Sequence, residues 1–248
     1  QNDAKNAVIE YGSRYDYVVC SGGDGTMNEV ANGMMRLHEK PICGYIPAGT
    51  VNDFASSLRI PKIMRHAAEL VTQGKVFRCD LGSFNDKFFT YVAGFGAFTE
   101  VSYTTPQEWK NMLGKTAYFI EGLKHLAEIK PHHMRITYDD GVVEDDFVLG
   151  LVSNSVSVAG YKAYQKEDIK MDDGLFEVLF IRDLKNALEL QEVLNALLTK
   201  HLDATKMFRC SSRHLHIVSD DEVQWTLDGE DGGSWDEVDL FNHQQVLP

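Results

Sequence analysis

The stretch Gly22-Gly23-Asp24-Gly25-Thr26 joins an apolar run, Tyr17 to Cys20, to a helical pattern over Thr26 to Leu37. A glycine turn between strand and helix presents backbone N–H groups and the positive helix end, which suits phosphate. An aspartate at its centre, with no lysine beside it, does not. The lysine-bearing GxxxxGKS/T loop is absent. Taken alone, Asp24 serves equally well as a cap on the N–H groups of the turn. A second small-residue turn, PAGTVNDFA (Pro47 to Ala55), follows the next apolar run, Ile42 to Ile46, and enters another helical stretch. The strand–helix–strand unit has the length of a right-handed parallel crossover. Parallel strands place both turns at one carboxyl edge of the sheet, where α/β folds bind ligands. Two glycine turns, two threonines and two aspartates thus converge.

Stepping along the chain, a third helix is expected to begin at Pro61 and stop at Gly74. Beyond it the pattern changes to strands: VFRCDLGSF, KFFTYVAGFGAF, HMRITYDD, VVEDDFVLGLVS, LFEVLFI, FRCSSRHLHIV, EVQWTL and DEVDLF, joined by Asn-Asp and Asp-Gly turns. Two long helical patterns interrupt them, Asn111 to Ile129 and Leu184 to Leu202. The expected organisation is an α/β domain over residues 1–79 and a mostly antiparallel β domain over 80–248.

The 248 residues are 44 % apolar, ample for a large core. A formal charge of −13 makes nucleic acid an unsuitable partner. An acidic chain still binds ATP where a divalent cation bridges the two. No apolar run reaches the roughly 18–20 residues that span a bilayer, and no signal-peptide pattern is visible. The four cysteines, Cys20, Cys43, Cys79 and Cys210, are widely spaced within or beside expected strands. They predict reduced thiols and a cytoplasmic protein. The chain starts at Gln1 without an initiator methionine, so preceding sequence is expected.

A further acidic pair, Asp228 and Glu230, lies in WTLDGEDGG. On the residues alone, its Asp-Gly step reads first as a hairpin turn. Asp53 reads equally as a helix N-cap, and Asp80 as an exposed strand end. His132, His133, His214 and His216 lack partners at zinc spacing and are expected to be strand residues.

The chain resembles the soluble diacylglycerol kinases and related lipid kinases, among them the sphingosine and ceramide kinases, in the superfamily of NAD kinases and phosphofructokinases. The resemblance rests on Gly22-Gly23-Asp24-Gly25-Thr26 with Asn28-Glu29, on Gly49-Thr50 with Asn52-Asp53, on Asp80, on Asp172 to Val178 (DDGLFEV) and on Leu227 to Glu230 (LDGE). It implies a Rossmann-like nucleotide-binding α/β domain followed by a β-sandwich, with the active site in the cleft between them. The family's leading Asn-Pro-x-x-Gly motif is not in this chain, which implies an incomplete N-terminal domain. By resemblance, Gly22, Gly23, Asp24, Gly25, Thr26, Asn28, Glu29, Gly49, Thr50, Asn52 and Asp53 hold ATP. Asp24 then serves Mg²⁺, a hard cation that favours carboxylate oxygen. Asp228 becomes the general base for the acceptor hydroxyl, with Glu230 assisting and Asp53 and Asp80 completing an acidic wall. The Asp173 carboxylate with the Lys170 and Leu175 carbonyls implies a second, structural cation, although an ordinary Asp-Gly turn explains that loop equally well.

These expectations define an ATP-dependent lipid kinase that forms phosphatidate from diacylglycerol and visits the membrane surface reversibly. Its rivals are a kinase of a sphingoid base or another lipid alcohol, an NAD kinase, and a non-catalytic nucleotide-binding regulator. A homodimer is plausible through β-sheet edges. The helix expected over Leu184 to Leu202 reads as core packing. The basic and aromatic stretch Trp109 to Arg135, with five Lys/Arg against two Glu, is the sequence's membrane candidate, although a solvated helix with one packed face explains it slightly better.

Overall fold

The computed structural model describes residues 2–96, 129–154, 170–199 and 205–248. The expected helix over Asn111 to Ile129 and most of the membrane candidate fall outside the described residues.

The first part of the chain alternates helix and strand. Its elements are α1 (Asp3–Tyr11), β1 (Tyr17–Gly22), α2 (Asp24–Met34), β2 (Ile42–Pro47), α3 (Asp53–Ser57) and α4 (Met64–Gln73). β1 and β2 pair in parallel, Tyr17 opposite Ile42 and Gly22 opposite Pro47, so both glycine turns leave the same edge as expected. Val30, Ala31 and Met34 of α2 are buried with Val8 of α1 and Cys20 of β1. The apolar run Tyr17 to Cys20 forms a strand, as its composition suggests, but it is not buried along its length. Tyr17 and Val19 are 58 % and 53 % exposed, because α2 packs on one face of β1 and these two side chains alternate onto the other.

The second part is built from β3 (Cys79–Phe84), β4 (Lys87–Phe89), β5 (Val92–Phe95), β6 (His132–Tyr138), β7 (Gly141–Ser153), β8 (Phe176–Arg182), α5 (Ala187–Thr199), β9 (Met207–Ser212), β10 (His214–Leu227) and β11 (Glu230–Leu247). The strands run in the order β4-β3-β11-β10-β5-β7-β8-β9, and all these pairings are antiparallel. β5 and β6 share one lane between the long strands β7 and β10. The sheet folds back on itself. Phe89, from the first strand in the order, stacks on Phe176 of β8 with ring centroids 5.5 Å apart. Phe95 meets Trp225 edge-on at 4.9 Å inside the same core. Burying each such ring is worth roughly 1.5–3 kcal/mol. α5 packs Val193 and Leu197 into a second cluster with Leu149 and Ile181, the core role read from its apolar pattern.

The two parts are joined at both ends of the second. β11 runs on to Leu247, which pairs with Cys79 and is buried among α2 and α3 residues. The Cys43 N–H donates to the Pro248 carbonyl at 2.8 Å. All four cysteines are free, and burial pushes Cys20 up to about 11 and Cys79 and Cys210 up to about 12.

Candidate active site

The site starts from two turns pressed back to back. A Cβ on Gly49 would lie 2.5 Å from the Gly23 Cα, so any side chain there would force the turns apart. The Ala48 N–H donates to the Gly22 carbonyl at 2.8 Å and stitches the two strand ends together. Asn52 closes the second turn from a left-handed conformation (φ 55°), a region asparagine tolerates. Its amide donates to the Gly49 carbonyl at 2.6 Å and its side-chain oxygen accepts the Gly49 N–H at 3.0 Å.

Asp24 links the turns. One carboxylate oxygen accepts the Asp53 N–H at 3.1 Å and the other the Phe54 N–H at 3.2 Å. It therefore does cap N–H groups, but those of α3 rather than those of its own turn. Gly23 precedes α2 with no side chain to cap it. The N–H groups in the first turn of α2 are left for solvent or an anion, beside the exposed Thr26 and Thr50.

The second half of the site comes from the β10–β11 hairpin. Leu227 pairs with Glu230 across Asp228-Gly229, whose φ values of 53° and 84° fit a two-residue turn that favours Asp-Gly. The hairpin reading of this step is therefore correct as geometry, and the turn does more than close the hairpin. It buries the Asp228 side chain to 5 % exposure and surrounds it with five donors. One oxygen accepts the Tyr91 and Val92 N–H groups at 2.9 and 3.0 Å. The other accepts the Thr90 N–H, the Thr90 hydroxyl and the Asn28 amide, each at 2.7 Å. The Tyr91 hydroxyl donates to the Asp228 carbonyl at 3.0 Å. Burial raises the Asp228 carboxyl above its ordinary value, opposed by the hydrogen bonds from Thr90, Val92 and Tyr91.

α2 joins the halves. Asn28 reaches Asp228, and Asn32, one turn on, donates to the Phe88 carbonyl at 3.0 Å while its oxygen accepts the Phe88 N–H at 3.3 Å. Glu230 is exposed, its Oε1 3.6 Å from where a Cβ on Gly25 would stand. Tyr91 records how closely the acids gather. Its phenol is raised well above the ordinary value, first by burial and then by Asp228, Asp24, Asp53 and Glu230.

The structure thus brings together Asp24, Gly25, Asn28, Asp53, Asp228 and Glu230 with the two glycine turns. Glu29 is engaged elsewhere, accepting the Asn2 and Ala4 N–H groups at 2.9 and 3.1 Å at the start of α1. Asp80 is not an exposed strand end. It is fully buried, and its two oxygens accept the Gly174 and Gln245 N–H groups at 2.6 and 2.7 Å, tying the 172–174 loop to the end of β11. In that loop the Asp173 side chain accepts the Leu175 N–H at 3.1 Å, an Asp-Gly turn with Gly174 at φ 80°, while Lys170 is exposed. His133 and His214 lie exposed in strands, paired with Asp146 and Asp239. Thr90, Tyr91 and Asn32 were not foreseen. Only Asn32 left a sequence signal, its i,i+4 spacing from Asn28 on one helix face.

Both candidate cation positions offer oxygen donors, as a hard cation such as Mg²⁺ requires. Asp24 accepts a single hydrogen bond at each oxygen, leaving acceptor capacity on both. The second Asp173 oxygen has no hydrogen bond among the described residues, whereas the Asp172 carbonyl is taken by Gln244 and Gln245. Among the described residues, no three His, Cys, Asp or Glu side chains form a metal cluster.

An uncapped helix start beside a wall of acids is an arrangement for handling phosphate, and comparison with known proteins identifies the class as kinase. The family model of the diacylglycerol kinase catalytic domain matches residues 1–84, and that of the YegS C-terminal NAD kinase beta sandwich-like domain matches residues 92–245. A diacylglycerol kinase from Bacillus subtilis (strain 168) is 33 % identical over 250 residues, covering 99 % of this chain and 82 % of the relative. One from Staphylococcus epidermidis is 35 % identical over 222 residues, covering 89 % and 70 %. The crystal structure of a diacylglycerol kinase from Bacillus anthracis str. Sterne superposes with a TM-score of 0.83 at 27 % identity, covering 100 % of this chain and 81 % of that one. The chain belongs to the diacylglycerol kinase family.

Proposed function

We propose that the protein transfers the γ-phosphoryl group of ATP to the free hydroxyl of diacylglycerol, giving phosphatidate. The observation that carries this reading is the junction of the α2 N-terminus with Asp228 and Glu230, made through Asn28. Family membership implies ATP as donor, and the names of the relatives point to the acceptor. Mg²⁺, when bound, supplies neutralising charge at the phosphates. Asp24 and its acidic neighbours are the residues that would hold it.

In this reading the first turn of α2 and the hydroxyls of Thr26 and Thr50 hold phosphate oxygens. The acceptor hydroxyl approaches the carboxylates. Its proton passes to a carboxylate as the oxygen bonds to the γ-phosphorus and ADP leaves. A positioned base contributes roughly 10²–10⁴ in rate. Asp228 is that base if Thr90 Oγ1 or the Asn28 amide swings away, since its five donors exceed the roughly four acceptor sites of a carboxylate. The same saturation favours a second arrangement, in which exposed Glu230 takes the proton and Asp228 fixes the hairpin that carries it. Glu230→Gln separates the two. A fall of at least about 10²-fold in kcat with little effect on melting supports the second arrangement, and near-normal turnover leaves Asp228 as the base. The proposal as a whole is tested by product formation from ATP and diacylglycerol in mixed micelles. Lipid contact is peripheral in this account, as no helix among the described residues is long and apolar enough to cross a membrane.

A further inference from the structure

The sequence resemblance places Asn28 among the residues that hold ATP, but its side chain is engaged elsewhere. Its amide donates to the Asp228 carboxylate at 2.7 Å and to the Phe88 carbonyl at 3.2 Å, and its side-chain oxygen accepts the Asn32 amide at 3.0 Å. Both donors of the side chain are therefore spent. What remains is acceptor capacity, which does not attract a phosphate oxygen.

Asn32 fixes which way that amide faces. Its own side-chain oxygen accepts the Phe88 N–H at 3.3 Å, so its NH₂ group points back to Asn28, whose side-chain oxygen and carbonyl it meets at 3.0 Å each. Turning the Asn28 amide over would set NH₂ against NH₂ on one side and oxygen against the Asp228 carboxylate on the other. The i,i+4 spacing puts the pair on one face of α2. Both amides donate to the carbonyl of Phe88, which ends two residues before Thr90 in the chain.

The cradle around Asp228 does not depend on this pair. Without Asn28, four donors remain, from Thr90, Tyr91 and Val92, which matches the roughly four acceptor sites of a carboxylate. All of these come from the second part of the chain, whereas Asn28 comes from the first. What Asn28 adds is a tie between Asp228 and α2, whose first turn, roughly 5 Å along the helix, faces phosphate in the kinase reading.

We propose that Asn28, oriented by Asn32, is a positioning residue: it sets the Asp228–Glu230 hairpin against phosphate held by α2, and its side chain does not bind the nucleotide. The Thr90 hydroxyl is then the donor that yields if Asp228 takes the proton. The inference rests on the kinase reading, but its binding and exchange measurements need no turnover, so each fails separately.

The test compares Asn28→Ala, Asn32→Ala, the double variant and Asn28→Asp with the parent protein. Binding of a non-hydrolysable ATP analogue with Mg²⁺, read by calorimetry, should change by less than about twofold in Asn28→Ala, while kcat falls by roughly 10–10²-fold through misplacement of the hairpin. Asn32→Ala should lose several-fold, and the double variant no more than Asn28→Ala, because one residue acts through the other. Asn28→Asp, nearly the same shape, should be worse than alanine, since it sets a second carboxylate against Asp228. Melting curves show which variants are folded, and the two alanine variants decide if Asn28→Asp is not. In hydrogen exchange, the analogue should slow the amides of residues 88–92 in the parent and leave them unchanged in Asn28→Ala. Analogue binding about tenfold weaker in Asn28→Ala, with kcat intact, would return Asn28 to the nucleotide and overturn the proposal. So would an Asn28→Asp variant as active as the parent, additive losses in the double variant, or analogue-induced protection of residues 88–92 that survives in Asn28→Ala.

Discussion

Replacing Asp228 by asparagine is the substitution that a sequence-based account would choose to remove a base, and the structure gives it a second consequence. Asparagine turns one acceptor oxygen into an NH₂ group. If the NH₂ takes the place of the oxygen facing Tyr91 and Val92, two backbone N–H groups lose their acceptor. If it takes the other place, the Thr90 N–H loses its acceptor, while the Thr90 hydroxyl and the Asn28 amide have rotational freedom to adjust. The second orientation costs less, and a stranded buried donor costs about 1–3 kcal/mol. At roughly 2–4 °C per kcal/mol for a chain of this size, the melting temperature should fall by roughly 2–12 °C. Turnover should fall by at least about 10²-fold. The assay pairs thermal melting with steady-state kinetics on Mg·ATP and diacylglycerol micelles. Unchanged melting would refute the reasoning about the five-donor cradle. Near-normal turnover would remove Asp228 from both catalysis and support of Glu230.

Asp24→Asn retains one good acceptor for two α3 N–H groups. It should cost roughly 0.5–2 kcal/mol of capping and at least about tenfold in kcat/KM, part of the latter recovered by raised Mg²⁺; full activity with unchanged Mg²⁺ dependence would leave the acid a structural role alone. Asp80→Asn should strand the N–H of Gly174 or Gln245, lowering stability by about 1–3 kcal/mol and raising proteolysis in the 172–174 loop, and an unchanged digestion pattern would count against that tie. Burial raises Asp228 above the ordinary value of 3.8, so if it is the base the acid limb of kcat/KM should lie above 3.8, and activity flat through that value would exclude it. The same shift gives stability of the opposite sign, present below 3.8 and lost as pH rises through the folded value, because the native state holds the proton more tightly.

The turn-bearing strands and their helices were legible because local rules write them. Glycine turns after apolar runs predicted the parallel pair β1–β2, and strand-type composition between turn residues predicted most later strands, although KFFTYVAGFGAF divides into β4 and β5 and FRCSSRHLHIV into β9 and β10. The expected start of α4 at Pro61 missed by three residues, and α2 begins at Asp24 rather than Thr26. Asp228 was found through a short motif, while its partners Thr90, Tyr91 and Val92 lie more than 130 residues away and left no trace in spacing. Glu29 sits within the same motif as Asp24, yet its carboxylate serves α1, a distinction only packing can draw. Asp80 looked like a strand end because its partners, Gly174 and Gln245, are also remote, 94 and 165 residues along the chain. The return of β11 into the first core was invisible for the same reason.

The central claim is that the carboxylates at the start of α2 oversee phosphoryl transfer from ATP to a lipid hydroxyl. Its most direct test incubates the protein with Mg²⁺, ATP labelled at the γ-phosphate and mixed micelles carrying diacylglycerol, a sphingoid base or neither, with NAD as a soluble alternative. The account predicts label in phosphatidate, dependent on diacylglycerol and on Mg²⁺. Label in the sphingoid base or NAD instead would contradict the choice of acceptor, and no transfer to any acceptor would contradict the kinase reading itself.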